Sequence, residues 1–124
     1  VNFGPFDTVP QNFEGRNLYK HNPTVTLMRT TADENREVGE KLGEKLNLAS
    51  GKTALLLPLK GVSAIDAEGQ PFYGPKEDQV LFQTLRDGVN RDAVEIMELD
   101  YNINDKEFAV CAAEKLMELM EREA

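Results

Sequence analysis

Near the middle of the chain five consecutive residues, Thr53-Ala54-Leu55-Leu56-Leu57, are almost wholly apolar. A strand with one wet face alternates polar and apolar side chains, whereas a run without alternation has both faces covered. In water-soluble proteins that pattern belongs to a parallel sheet flanked by helices. The neighbouring sequence supplies the helices. Thr31, with Glu34 three residues on, makes a capping box at the start of the first. Val38, Leu42 and Leu46 then recur at every fourth position as one apolar stripe, with Gly39 and Gly43 beside it. Each glycine costs a helix ~1 kcal/mol relative to alanine, a cost that close approach to another backbone would offset. Pro75 opens a second helix at the position where its missing N–H is not needed. Leu81, Phe82, Leu85 and Val89 form its apolar face, and Gly88 stands near its end.

A third helix follows Asn104, with Glu107 placed to complete a cap and Phe108, Ala112, Leu116, Leu119 and Met120 as its expected buried stripe. Cys111 reads as a small core residue within it. Glu37 with Lys41, and Glu118 with Arg122, have the spacing of surface ion pairs. The segment Ala93 to Leu99 alternates more than 53–57 does, as expected of a strand nearer an edge. Helix, strand, helix, strand, helix in this order predicts an α/β fold. The expected sheet is parallel, Rossmann-like and doubly wound, with right-handed crossovers and flanking helices. Val1 to Phe3 reads as the end of an earlier strand, so the sheet is expected to be incomplete at its N-terminus and the chain to be part of a larger protein. Residues 4–30 carry Pro5, Pro10, Pro23, Gly4 and Gly15 and read as a long loop or arm. Within it, residues 17–20 and 25–28 are each expected to be extended. A loop of that length serves a function or an interface.

Acidic residues outnumber basic ones 22 to 14, for a net charge of −8. A nucleic-acid binder needs a basic footprint to displace counterions from phosphates, so that class is disfavoured. One small anionic ligand in a local pocket is compatible with the same charge. No apolar run approaches the ~20 residues of a membrane helix, and no secretory leader is visible. A single cysteine rules out an intrachain disulfide and a cysteine-rich zinc site, which makes the reducing cytoplasm the expected compartment.

In open parallel sheets ligands bind beyond the carboxyl ends of the strands. Gly4 to Thr8, Leu59 to Gly74 and Asp100 to Asp105 would occupy such positions. Lys60 offers a mobile cation, Gly61 a close backbone approach and Ser63 a short donor, the parts of a phosphate or carboxylate cradle. The spacing equally suits an ordinary surface loop, since neither a Walker A loop nor GxGxxG occurs. Arg29, Thr30 and Thr31 lead into the first helix, whose N-terminus favours an anion. A capping role for the threonines and surface pairing for Arg29 stand beside that reading. Asp7, Asp66, Asp100 and Asp105 fall in loops. Asp66 and Asp100 are candidates to hold Mg²⁺ through water, and turn-forming bonds to backbone amides are the alternative for each. His21 is a lone loop histidine with a structural or a titrating role. A triad of Ser63, His21 and an aspartate is disfavoured, because Ser63 lacks the glycine-flanked elbow.

Three stretches taken together resemble a known family. They are Val1-Asn2-Phe3-Gly4-Pro5 through Arg16-Asn17-Leu18-Tyr19 and His21-Asn22-Pro23 to Thr31; Leu56-Leu57-Pro58-Leu59-Lys60-Gly61-Val62-Ser63-Ala64-Ile65-Asp66; and Glu98-Leu99-Asp100-Tyr101-Asn102-Ile103-Asn104-Asp105. In order and spacing they are similar to the C-terminal part of the Tm-1-like ATP-binding proteins, an uncharacterised protein family (UPF0261). The resemblance spans essentially the whole chain. It implies a two-lobed protein about three times longer, with a nucleotide between the lobes, of which this chain is most of the second. It implies ATP as ligand and an upstream lobe as partner, and it strengthens the ligand reading of Arg29, Thr30, Lys60, Gly61 and Ser63. The N-terminus at Thr31, Asn104 as a donor, and Mg²⁺ at Asp66 or Asp100 come from the reading of the residues themselves. No reaction comes with the family. Two other readings stay open: part of an enzyme acting on a small carboxylate or phosphorylated metabolite, and a non-catalytic module for homo-oligomerisation, with 4–30 as its arm.

Overall fold

A computed structural model describes residues 1–123, with side chains through Glu121. The chain forms two compact units, Val1–Thr31 and Ala32–Ala124.

The first unit is an antiparallel sheet of β1 (Asn2–Phe3), β2 (Leu18–Asn22) and β3 (Val25–Met28) in the order β1-β3-β2. β2 and β3 form a hairpin whose turn is held by Asn22, its Oδ1 accepting from the Thr24 N–H at 2.9 Å and the Thr24 hydroxyl at 3.0 Å. Between β1 and β2 the chain makes two short 3-10 turns, Phe6–Thr8 and Gln11–Phe13, entered at Pro5 and Pro10. The extended readings of 17–20 and 25–28 correspond to β2 and β3. The reading of Val1–Phe3 as a strand of the parallel sheet does not hold. β1 pairs antiparallel with β3, Asn2 opposite Leu27 and Phe3 opposite Thr26. Burial alternates along β3, with Thr26 and Met28 buried, which is the signature of a sheet with one covered face. Phe3 also packs on Phe13, ring centres 5.5 Å apart.

The second unit is built on β4 (Thr53–Pro58) and β5 (Val94–Leu99), parallel and in register from Thr53 opposite Val94 to Pro58 opposite Leu99. Three helices accompany them: α1 (Ala32–Leu46), α2 (Pro75–Gly88) and α3 (Lys106–Glu123). Helix, strand, helix, strand, helix is therefore the observed order, and the parallel pairing is as expected. Leu57 and Val94 pack against Phe82, Leu85 and Val89 to form the core, with Leu55 and Ile96 on the same face. Successive strand residues point to opposite faces. Glu95 accordingly points away from that core and meets Lys115 of α3 at 2.8 Å. Helices thus flank the two strands on both faces.

Two of the expected apolar stripes are not buried as expected. On α1, Val38 and Leu42 are exposed, and the buried residues are Asn35, Gly39 and Gly43. The glycines face α2: a Cβ on Gly39 would lie 2.9 Å from Thr84 Cβ and 3.3 Å from the Leu81 carbonyl oxygen. Absence of side chains lets the two helices approach, and the Asn35 amide donates to the Glu77 carbonyl at 2.9 Å across the same contact. On α3, Phe108 is buried, but Leu116 and Met120 are exposed. The residues turned toward the sheet are Phe108, Cys111, Ala112, Lys115 and Leu119 (100° per residue places them on one side).

Surface ion pairs also differ. Lys41 lies 3.5 Å from Glu44 instead of pairing with Glu37, and Lys115 bonds Glu118 at 2.8 Å. Arg122 of the expected Glu118 pair lies outside the described side chains. Arg86 of α2 donates to Glu98 of β5 at 2.6 Å, and this guanidinium holds the Glu98 carboxyl below its ordinary value. No helix among the described residues is long and apolar enough to cross a membrane.

Candidate ligand site

Both parallel strands end at the same rim, and the loops that leave them are locked together by backbone bonds. The Leu59 N–H donates to Leu99 O at 2.9 Å, Lys60 N–H to Tyr101 O at 3.1 Å and Ile103 N–H to Gly61 O at 3.0 Å. Asn102 completes the lock. Its side chain is 7% exposed, and its NH₂ donates to Ser63 O at 2.9 Å and Asp66 O at 3.2 Å, with Lys60 O at 3.4 Å. The opposite end of that amide, Oδ1, accepts from the Asn104 N–H at 2.8 Å. Buried carbonyls need donors, and one asparagine supplies them to a loop nearly forty residues away in sequence.

Asp66 acts from the other side. It is 1% exposed, and its carboxylate accepts from the Val62 N–H at 2.9 Å and the Gly74 N–H at 3.0 Å. Of its two sequence-level roles, the geometry displays the bonding to backbone amides. Gly61 has φ +135°, and a Cβ there would fall on the Asp66 carbonyl oxygen and 2.6 Å from Asn102 Nδ2. Only glycine fits this conformation and this space. The Gly61 N–H is taken by Pro58 O at 3.1 Å, and Ser63 Oγ accepts from the Ile65 N–H at 3.4 Å. These groups shape the loop, and side chains are left to line the space beside it.

A cleft of about 490 Å³ opens at this rim, with Lys60, Glu68, Tyr73, Asp78, Asn102 and Asp105 along its walls. Pro75, the first residue of α2, also borders it. Lys60 is the one cation of that lining among the described residues. Its ammonium stands 4.0 Å from Asp100, both well exposed, a loose pair that a ligand could displace at little cost. Tyr73 is half exposed and offers a ring face. Asp78, in the first turn of α2, is buried to 3%. Asp105 turns its Oδ2 to the Asn102 N–H at 2.9 Å. No group of three or more His, Cys, Asp or Glu able to hold a metal ion occurs among the described residues.

The structure thus brings Lys60, Gly61, Ser63, Asp66, Asp100 and Asn104 to one rim of the second unit. Arg29, Thr30 and Thr31 close the first unit, where the Arg29 N–H donates to Asn17 O at 3.0 Å and the Arg29 carbonyl accepts from Arg16 at 3.0 Å. His21 lies exposed on β2, its ring tilted against Tyr19 at 6.4 Å. Sequence reasoning missed Asn102, Tyr73 and Asp78. Asn102 had a signal, since Asn102-Ile103-Asn104-Asp105 is rich in side chains that bond to nearby backbone. Tyr73 and Asp78 had none, because an aromatic in a loop and an acid in a first helical turn are commonplace.

Comparison with known proteins places nearly the whole chain in one family. Residues 1–120 match the family described as the uncharacterised protein family (UPF0261) C-terminal domain. The UPF0261 protein of Clostridium tetani is 62% identical over 122 residues, covering 98% of this chain and 30% of that protein. UPF0261 protein RA0729 of Rhizobium meliloti is 50% identical over 113 residues, 90% of this chain and 28% of the relative. The ToMV resistance protein Tm-1(GCR237) of Solanum lycopersicum is 42% identical over 120 residues, 96% of this chain and 16% of the plant protein. The chain therefore spans less than a third of the length of these relatives. With a match to the family's C-terminal domain over nearly every residue, and a relative 62% identical over 98% of the chain, this chain belongs to the UPF0261 family.

Proposed function

We propose that this chain forms one wall of a binding site for a phosphorylated small molecule, with a nucleotide such as ATP as the leading candidate. In this reading β4 and β5 are part of a doubly wound, Rossmann-like sheet that the remainder of the full-length protein completes. The observation that carries the proposal is the rim itself. Two loops following parallel strands are bonded into one rigid lip around a cleft that holds a displaceable lysine and an exposed aromatic ring. Ligand sites of open parallel sheets lie at such rims. Lys60 neutralises phosphate charge, and Tyr73 offers a base a surface to stack on.

The carboxylates of Glu68, Asp78 and Asp105 on the same walls favour a ligand whose phosphates are already paired with a divalent cation. Mg²⁺ keeps most of its waters and needs only one or two protein carboxylates. Asp100, exposed beside Lys60, suits that task, whereas Asp66 is committed to two amides. Titration calorimetry of the full-length protein with ATP and Mg²⁺ tests the reading. Lys60→Ala should weaken binding by roughly tenfold, the loss of one charge-assisted contact of about 1.5 kcal/mol. Equal affinity in both proteins would remove Lys60 from the site.

A further inference from the structure

Helix α3 has two apolar faces and uses only one. Phe108, Ala112 and Leu119 turn inward, whereas Val110, Leu116, Met117 and Met120 are 43–63% exposed, and Ala109 and Ala113 are exposed beside them. At 100° per residue these six outward residues fill one continuous arc of about 120° over more than three turns. Glu114 and Glu121 fall at one margin of the arc. Inside it the one charge is Lys106, in the first turn. A helix with a solvated outer face carries charges there, and contiguous apolar surface of this kind marks a contact.

We infer that this outward face of α3 packs against the part of the full-length UPF0261 polypeptide that lies outside these 124 residues. Two observations select that occupant over a second copy of the chain. First, the relatives carry the same region within proteins of which it is 30% or less, so most of each polypeptide is available to cover it. Among the described residues the parallel sheet has two strands, and the outer edges of β4 and β5 are unpaired. One helix covers about two strands, given strand spacing near ~4.8 Å and helix spacing near ~10 Å. A parallel strand added to this sheet arrives with a crossover helix, and one on the α3 face would lie alongside α3. Second, the stripe is small. From Ala109 to Met120 it runs roughly 17 Å at helical rise and is about one helix wide, ~10 Å. That footprint falls far short of the roughly 800 Å² per partner of a stable two-chain interface. A covalently connected partner needs no such area, because its effective concentration is millimolar or above. The inference is independent of the ligand reading.

Its test uses the full-length protein. With Cys111→Ala as background, Met117→Cys places a thiol in the stripe and Glu121→Cys places one at its margin. Maleimide labelling should be at least roughly tenfold slower at residue 117 than at 121 if the stripe is covered, with a ratio unchanged by dilution. Equal rates would overturn the inference, and so would protection that disappears on dilution, which would assign the face to a second copy. Peroxide oxidation of Met117 and Met120 in the wild type, read by mass spectrometry, gives the same answer without any substitution.

Discussion

Replacing Asn102 by aspartate exchanges an NH₂ for an oxygen and leaves the side chain's shape almost unchanged. The donor lost is the one that reaches Ser63 O at 2.9 Å and Asp66 O at 3.2 Å, while the 3.4 Å approach to Lys60 O is near the limit of a hydrogen bond. A buried carbonyl stripped of its donor costs about 1–3 kcal/mol. Here each of two carbonyls loses one bond, Ser63 O keeping the Asp66 N–H at 3.0 Å, and a carboxylate is set against both. Because the two losses share one side chain they are not independent, and a total of about 3–4 kcal/mol is expected. That is a large fraction of the ~5–15 kcal/mol that holds a domain of this kind folded. It corresponds to a fall of roughly 10–15 °C in midpoint.

Burial beside carbonyl oxygens raises the pKa of the new acid in the folded state. A group so raised favours folding below its unfolded pKa and loses that contribution as pH rises through its folded value. The deficit of Asn102→Asp should therefore shrink in acid, where the protonated side chain regains one O–H donor. Thermal and urea unfolding measure the loss, and hydrogen exchange at the Val62 and Gly74 amides locates it. Asn104→Asp is the control, since the Asn104 side chain is exposed and should shift stability by under ~0.5 kcal/mol. A deficit at Asn102 below ~1 kcal/mol, or equal effects at 102 and 104, would refute the claim that this amide holds the two loops together.

Gly39→Ala should be destabilising by up to about 2 kcal/mol, because crowding against Thr84 and Leu81 O outweighs the gain in helix propensity. Gly43→Ala, whose Cβ would meet nothing closer than 3.7 Å, should be neutral or stabilising in the same unfolding assay. Glu98 is held below its ordinary 4.5 by Arg86. Its contribution is present above the unfolded pKa and is lost as pH falls through the folded value. Glu98→Gln should remove that part of the acid-side slope; with Glu98 40% exposed, the effect at neutral pH stays under about 1 kcal/mol. Lys60→Ala should weaken Mg-ATP binding to the full-length protein without lowering its unfolding midpoint, since the Lys60 side chain is 62% exposed.

The parallel pair was legible because Thr53 to Leu57 lacks alternation, and α2 was legible because Pro75 and its apolar spacing agree. The three-stranded sheet of the first unit was legible only in pieces. Asn17 to Lys20 and Val25 to Met28 read as extended, but nothing in two residues, Asn2 and Phe3, says which strand they will pair with. At the rim, Lys60 could be named from its residue type. The bonds that hold its loop could not, since the partner of Ser63 O and Asp66 O is an asparagine 39 and 36 positions away. Hydrogen bonds of that reach have no periodicity. Gly61 reads from the sequence as a close backbone approach for a ligand, and its φ and the space around it add a demand the sequence does not display, one made by the loop's own backbone.

The two stripes expected to be buried share one cause. Periodicity shows that a helix has an apolar side, but burial is settled by what stands opposite. On α1 the contact is made by glycines, because the closest approach of two helix axes belongs to the residues with least side chain. That contact rotates Val38 and Leu42 outward. On α3 there is apolar surface for two partners, and the second unit supplies one. Sequence spacing therefore described which side of each helix is apolar, and the neighbours across each contact decided which side this chain covers.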